Sequence, residues 1–263
     1  MMHMTEKEIT VQRDNLTIRG TILTPDDTTT YDLAILMHGF TSNRGFTPDH
    51  ILYNLSRKLL KQGIASLRFD FNGHGKSDGK FEDMTVPNEI SDAEAILTYV
   101  RQLPEVRHIY LMGHSQGGVV ASMLGGLYPE FITKIVLMAP AATLKDDALA
   151  GVLQGATYDP NHVPDKLLVR PDAGLSVGGA YLRSAQVLPI YEVAQRYHGP
   201  VTIIHGDHDV VVNIKASKRY EAVYENATLH VLKNADHSFI NASRETVTNL
   251  ATEAIVKQVQ LNH

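Results

Sequence analysis

Ser115 stands between glycines in Gly113-His114-Ser115-Gln116-Gly117, directly after the apolar run Ile109–Met112 and directly before the helical stretch Val119–Tyr128. A serine on a tight strand-to-helix turn is exposed above a sheet, and small neighbours let the backbone pass close to adjacent strands. The helix N-terminus beyond it points N–H groups and a positive dipole end at any developing negative charge. A glycine-rich turn with an idle serine is the plainer alternative, but it leaves the strand before and the helix after unexplained. A serine hydroxyl is a poor nucleophile, so it needs a base, and the base needs an orienting carboxylate. Two later loops supply them. Gly206-Asp207-His208-Asp209 follows the apolar run Pro200–His205, and Ala235-Asp236-His237-Ser238 follows Thr228–Leu232. His237 is the expected base and Asp209 the expected orienter. Asp207 is the rival carboxylate; Asp209 is preferred because it precedes Val210-Val211-Val212 and can tuck inward while Asp207 stays at the turn. His205, His208 and His230 read as structural or solvated.

Acyl transfer from such a serine passes through an oxyanion, which needs two preorganised N–H donors. The backbone of Gln116 is one. Phe40 is the other, from the loop His38-Gly39-Phe40-Thr41, where Gly39 lets the chain bend out of the sheet.

These residues must be carried by elements whose pattern is regular. Glu8–Arg13 and Leu16–Leu23 alternate with period two around Asp14-Asn15, which predicts an antiparallel hairpin at a sheet edge. Continuous apolar runs follow at Asp32–Gly39, Ile64–Phe71, Ile109–Gly113, Lys134–Pro140, Pro200–Gly206 and Thr228–Leu232, as suits central strands covered on both faces. Helical stripes lie between them at Asp49–Gly63, Asn88–Gln102, Lys215–Asn226 and Glu245–Gln260, and Gly63 is a natural C-cap. The expectation is an α/β protein with about eight strands in a mostly parallel sheet and five or six helices. The rhythm breaks from about Thr143 to Leu188, where Pro160, Pro164 and Pro171 fall, with Pro189 beside them. That segment reads as a cap above the C-terminal edge of the sheet, where open α/β sheets bind ligands. The expected organisation is a core of residues 1–142 and 191–263 with an inserted cap, residues 143–190, after the sixth strand.

Taken together, HGF, RFDFNGHGKSDG, GHSQGG, the GDHD loop and ADHSF resemble the α/β-hydrolase superfamily. The chain is most similar to the bacterial feruloyl (cinnamoyl) esterases of lactobacilli and gut bacteria, through the insertion as well, in APAATLKDDAL, LQGATYDP, GGAYLR and QVLPIYE. The resemblance implies a serine esterase whose cap closes over a phenolic acyl group. It implies that Asp147 and Tyr181 hydrogen-bond the ring hydroxyls, with Gln154 nearby. Without it, Asp147 would read as a solvated helix end and Tyr181 as cap packing. The partner it implies is a small phenolic ester, and a homodimer is plausible on the same ground. A general short-chain carboxylesterase or monoacylglycerol lipase keeps the same three residues, and a ligand-binding sensor on a hydrolase fold is the non-enzyme alternative.

Length and composition bound the rest. With 263 residues, 43% hydrophobic and 20% charged, the chain is long enough for one large domain or two small ones and has the composition of a globular enzyme. A net charge of -5 without a basic run argues against nucleic acid. The absence of cysteine excludes disulfides, a thiol nucleophile and thiolate-held metals. No apolar run approaches membrane-spanning length and the first residues lack a signal-peptide pattern, so a cytoplasmic protein is expected. Two decoys remain. Gly73-His74-Gly75-Lys76-Ser77 looks like the end of a phosphate loop, but Asp70 stands where that motif needs its first glycine. The His and Asp residues of 205–209 lack a partner motif at ligand spacing, so neither metal nor cofactor is expected.

Overall fold

A computed structural model describes residues 4–26 and 28–262. Residues 1–3, 27 and 263, within the expected core bounds, lie outside the described residues. The edge hairpin forms as expected: β1 (Met4–Arg13) pairs antiparallel with β2 (Leu16–Pro25), turning through Asp14 at φ 52°. The apolar runs become β3 (Tyr31–Met37), β4 (Ala65–Phe69), β5 (Val106–His114) and β6 (Ile132–Met138). The eight-stranded sheet has the order β1-β2-β4-β3-β5-β6-β11-β12, closing with β11 (Val201–Gly206) and β12 (Ala227–Leu232). From β4 to β12 every neighbouring pair is parallel, and β2 meets β4 antiparallel.

Period-two alternation sorts the side chains of the central strands onto two faces. Leu33, Ile35 and Met37 of β3 join one core with Leu111, Ile135 and Ile203. Ala34 and Leu36 join the other with Tyr110, Met112, Val136 and Ile204. The first core is covered by α2 (Val86–Arg101) and α3 (Gln116–Leu127). The second is covered by α1 (Ile51–Leu60) and the last helix, α8 (Ala242–Leu261). Helix α2 begins two residues before the expected Asn88, because Thr85 and Asn88 form a reciprocal capping box with Pro87 in the first turn. Among the described residues no helix is long and apolar enough to cross a membrane.

The irregular segment has its own small elements. They are α4 (Leu144–Leu149), the hairpin β7 (Val152–Leu153) with β8 (Ala156–Thr157), the hairpin β9 (Lys166–Arg170) with β10 (Leu175–Gly178), and α5 (Gly179–Val187). Helix α6 (Ile190–Ala194) leads back to the sheet, and α7 (Lys215–Val223) lies between β11 and β12. The described residues thus hold more helices than the expected five or six. The extra ones are short, with too few turns to leave a readable stripe. Leu144, Ala148, Val177, Tyr181, Leu182 and Leu188 are buried in the same cluster as the sheet, so the insertion shares the main core.

The Gly73–Ser77 turn has an internal occupant. Asp70 Oδ1 accepts from Arg44 N–H at 2.7 Å, and its Oδ2 accepts from Lys76 N–H at 2.9 Å. A side chain at Gly75 would collide with that carboxylate. The turn therefore wraps the protein's own anion.

Four imidazoles are held neutral in the fold. Burial lowers His50 and His74 to about 4 and His114 to about 3, and pushes His38 well below 6.5. Unfolded, each would take up a proton as the pH falls through 6.5, whereas the folded rings resist until their lower values are reached. The stability these rings favour is present above pH 6.5 and is lost as the pH falls toward 4. A series of urea midpoints from pH 7 to pH 5 should show unfolding coupled to proton uptake that rises from about one proton at pH 7 toward about four at pH 5. A flat series would contradict the neutral burial of these rings.

Candidate active site

Strand β5 ends at His114 and α3 begins at Gln116, so Ser115 forms the bend between them with φ 55° and ψ −122°. A side-chain-bearing residue at positive φ costs on the order of 1–3 kcal/mol and persists only where its surroundings hold it. Here Ser115 N–H donates to Met138 O at 2.9 Å, and Ser115 O accepts from Gly118 N–H at 2.9 Å and Ala141 N–H at 3.0 Å. A Cβ on Gly117 would strike the carbonyls of Met37 and His38, and one on Gly113 would strike the backbone of Gly117. The loop after β3 runs directly beside the serine: a Cβ on Gly39 would lie 2.9 Å from Ser115 Cβ. Phe40, the next residue, lines the same cavity as Ser115 and Gln116.

Residues more than a hundred positions apart meet at this bend. His237 Nε2 lies 2.8 Å from Ser115 Oγ, and His237 Nδ1 lies 2.7 Å from Asp209 Oδ2. The carboxylate of Asp209 is fully buried, and its Oδ1 accepts the N–H groups of Val211 at 2.9 Å and Val212 at 2.8 Å. Burial opposes its ionisation. The interactions with His205 and His237 and the Val212 N–H outweigh that, and hold it well below the usual carboxylate range. The rival Asp207 is exposed and caps Asn234 N–H at 2.6 Å, away from His237. Among the described residues no group of three or more His, Cys, Asp or Glu side chains is placed to hold a metal ion.

A family model described as serine aminopeptidase, S33, matches residues 31–169, more than half of the chain. The structure of Est1E from Butyrivibrio proteoclasticus, solved with ferulic acid bound, superposes with a TM-score of 0.90 at 30% identity, covering 96% of this chain and 99% of that one. The chain is an α/β hydrolase. Among curated sequences, the hydrolase is 25% identical over 211 residues, 77% of its length, to the Bos taurus mitochondrial palmitoyl-protein thioesterase ABHD10. It is 28% identical over 113 residues, 43% of its length, to an uncharacterized protein of Rickettsia prowazekii. These alignments span 66% and 47% of those relatives' own lengths.

A cavity of about 410 Å³ opens over Ser115 of the hydrolase, and the insertion builds one side of it. Asp147, Gln154 and Tyr181 all line it together with Ser115, Phe40 and Gln116, while His237 and Asp209 stand behind the serine. Their settings differ. Tyr181 is buried and donates its hydroxyl proton to Gln116 Oε1 at 2.6 Å, so toward a ligand its oxygen can only accept. Asp147 is half-buried, and its pKa is raised by burial against the opposing pull of Thr143 and Lys215. Gln154 is exposed at the tip of the β7–β8 hairpin, in the left-handed region at φ 52°. Val152, Val210 and Val211 bring exposed apolar surface to the rim.

Glu89 and His114 have no role in the sequence reading, and His205 reads there only as structural or solvated. Glu89, fully buried on α2, accepts from Gln116 Nε2 at 2.8 Å, so the amide of Gln116 is gripped from both ends. Burial pushes its carboxyl well above the ordinary value, outweighing the Gln116 hydrogen bond. The available signal was an acid beside Ile90 on the apolar stripe of α2. His205, fully buried, lies 3.1 Å from the Asp209 oxygen that also meets His237. His114, within the pentapeptide, bonds the backbone of His237. Nothing in the local pattern marks the partner of either histidine.

Proposed function

We propose that this α/β hydrolase is a serine carboxylesterase acting on small hydroxycinnamate esters. The observation that carries the hydrolytic part is the unbroken line Ser115–His237–Asp209, with contacts of 2.8 and 2.7 Å, whose serine lines the cavity. Ser115 Oγ attacks the ester carbonyl as His237 Nε2 takes its proton, and Asp209 stabilises the resulting imidazolium. The tetrahedral oxyanion sits between the N–H groups of Phe40 and Gln116. His237 then delivers the proton to the leaving alcohol. Water, deprotonated by the same nitrogen, attacks the acyl-enzyme, and the acid departs with Ser115 restored.

The phenolic assignment draws support from the acceptors at the cavity wall and from the likeness to Est1E, solved with ferulic acid. Tyr181 oxygen and the Asp147 carboxylate both accept hydrogen bonds, so they suit a group that donates, such as a ring hydroxyl. Gln154 closes the same side. Methyl ferulate is therefore expected to be turned over faster than a short-chain aliphatic ester. In Asp147→Ala the kcat/KM ratio of the two should collapse by about 10- to 100-fold, the worth of one hydrogen bond to a charged group. Clearly faster aliphatic turnover by the parent would remove the phenolic assignment. It would favour a general short-chain carboxylesterase, a reading that the exposed valines at the rim support.

A further inference from the structure

The segment that carries His237 has little regular structure of its own. Between β12 and α8, Asn234, Phe239 and Asn241 all adopt positive φ, at 57°, 49° and 55°. Phe239 does so while fully buried, a conformation that surrounding contacts must impose. The loop is held by side chains from elsewhere. Arg244, at the start of α8, donates from Nε to Phe239 O at 2.9 Å, from Nη2 to Ser238 O at 2.9 Å, and from Nη1 to Asp49 O. Those bonds secure the part of the loop after the base. Two residues before the base, Ala235 O accepts from His208 N–H at 3.0 Å, and the backbone of the base itself is met by His114, whose Nε2 lies 2.9 Å from the carbonyl oxygen of His237. A carbonyl only accepts, so this nitrogen carries the proton. The rings of His114 and His237 lie 5.2 Å apart at 37°, and the Phe239 ring lies 6.0 Å from that of His114.

We propose that His114 is a positioning residue, whose N–H fixes the backbone of His237 where its ring spans Ser115 and Asp209. The inference rests on the proposed Ser115–His237–Asp209 mechanism and adds how the base is kept in register with the nucleophile. His114 is adjacent in sequence to Ser115, so one strand end sets both the serine and the carbonyl behind the base. A shift of the loop relative to β5 would otherwise lengthen the 2.8 Å contact directly.

Three variants of the full chain test this with p-nitrophenyl acetate and with a fluorophosphonate, which labels a serine only when its base is in place. His114→Phe keeps a ring and loses the donor. His114→Asn keeps an amide that is too short, and His114→Gln restores an N–H at comparable reach. In Phe and Asn, kcat and the labelling rate should fall about 10- to 100-fold with KM within twofold, as a small misplacement of a catalytic group does. Gln should recover to within about threefold of the parent. Folded Phe or Asn protein with parental kcat and labelling would overturn the proposal, as would equal losses in Gln and Asn. Because Asn remains polar, it carries the test if Phe does not fold. Labelling of the parent must vanish in Ser115→Ala. If it persists there, the underlying mechanism fails, and this inference fails with it.

Discussion

Ser115→Ala should lower kcat/KM for methyl ferulate by about 10⁵- to 10⁶-fold while leaving the fold intact, because removing one member of a concerted set costs nearly as much as removing all. The serine is 8% exposed, and its backbone bonds to Met138, Gly118 and Ala141 do not involve the hydroxyl. Alanine can occupy the same bend, still at positive φ. The residual rate should stay above that in water, since the N–H groups of Phe40 and Gln116 remain to polarise the ester carbonyl. Steady-state hydrolysis beside circular dichroism and thermal melting is the appropriate measurement. A folded variant as fast as the parent would remove the nucleophile from Ser115 and end the proposed mechanism.

Asp209→Asn should lower kcat by about 10⁴-fold, whereas Asp207→Asn should stay within about threefold of the parent. The first loss follows from hydrogen-bond accounting at a buried site. Asp209 Oδ1 accepts two backbone N–H groups, and Oδ2 faces His237 Nδ1. An amide can satisfy Val211 and Val212 only by turning its NH2 toward His237. Nδ1 must then accept, the proton moves to Nε2, and that nitrogen can no longer take one from Ser115. Because the Asp209 pKa lies well below the usual range, the carboxylate stays charged as the pH falls from neutrality, and its ionisation should not set the acid limit of activity. Among the described residues the Asp207 carboxylate meets Asn234 N–H at the surface, so an amide that keeps its oxygen there is tolerated. Equal losses in both variants would assign the orienting role to the loop as a whole rather than to Asp209.

The pairing of these two aspartates marks where local pattern stops being informative. Both lie in one four-residue loop. The preference for Asp209 rests on the three valines behind it, and in the structure two of them supply the N–H groups that bind its carboxylate. The same limit appears at Tyr181. By itself it reads as cap packing, and the resemblance implies a hydroxyl on a ligand's ring; in the structure its proton is given to Gln116, itself tethered to Glu89. Those partners come from three separate helices, and no spacing along the chain relates them.

Strands, long helices, the strained serine turn and the loops bearing Asp209 and His237 were legible because each depends on neighbours within a few residues. Alternation of apolar side chains defines a strand. A stripe at helical spacing defines a helix, and glycines on either side of a serine define a bend that no bulkier residue fits. Packing alone decided the rest: that the insertion shares the main core, that Asp70 fills the turn resembling a phosphate loop, and that His114 grips the carbonyl of a residue 123 positions away. Each depends on which polar groups are left without water as the sheet and helices close. A buried donor takes whatever acceptor the topology brings within reach, and sequence order carries no trace of that choice.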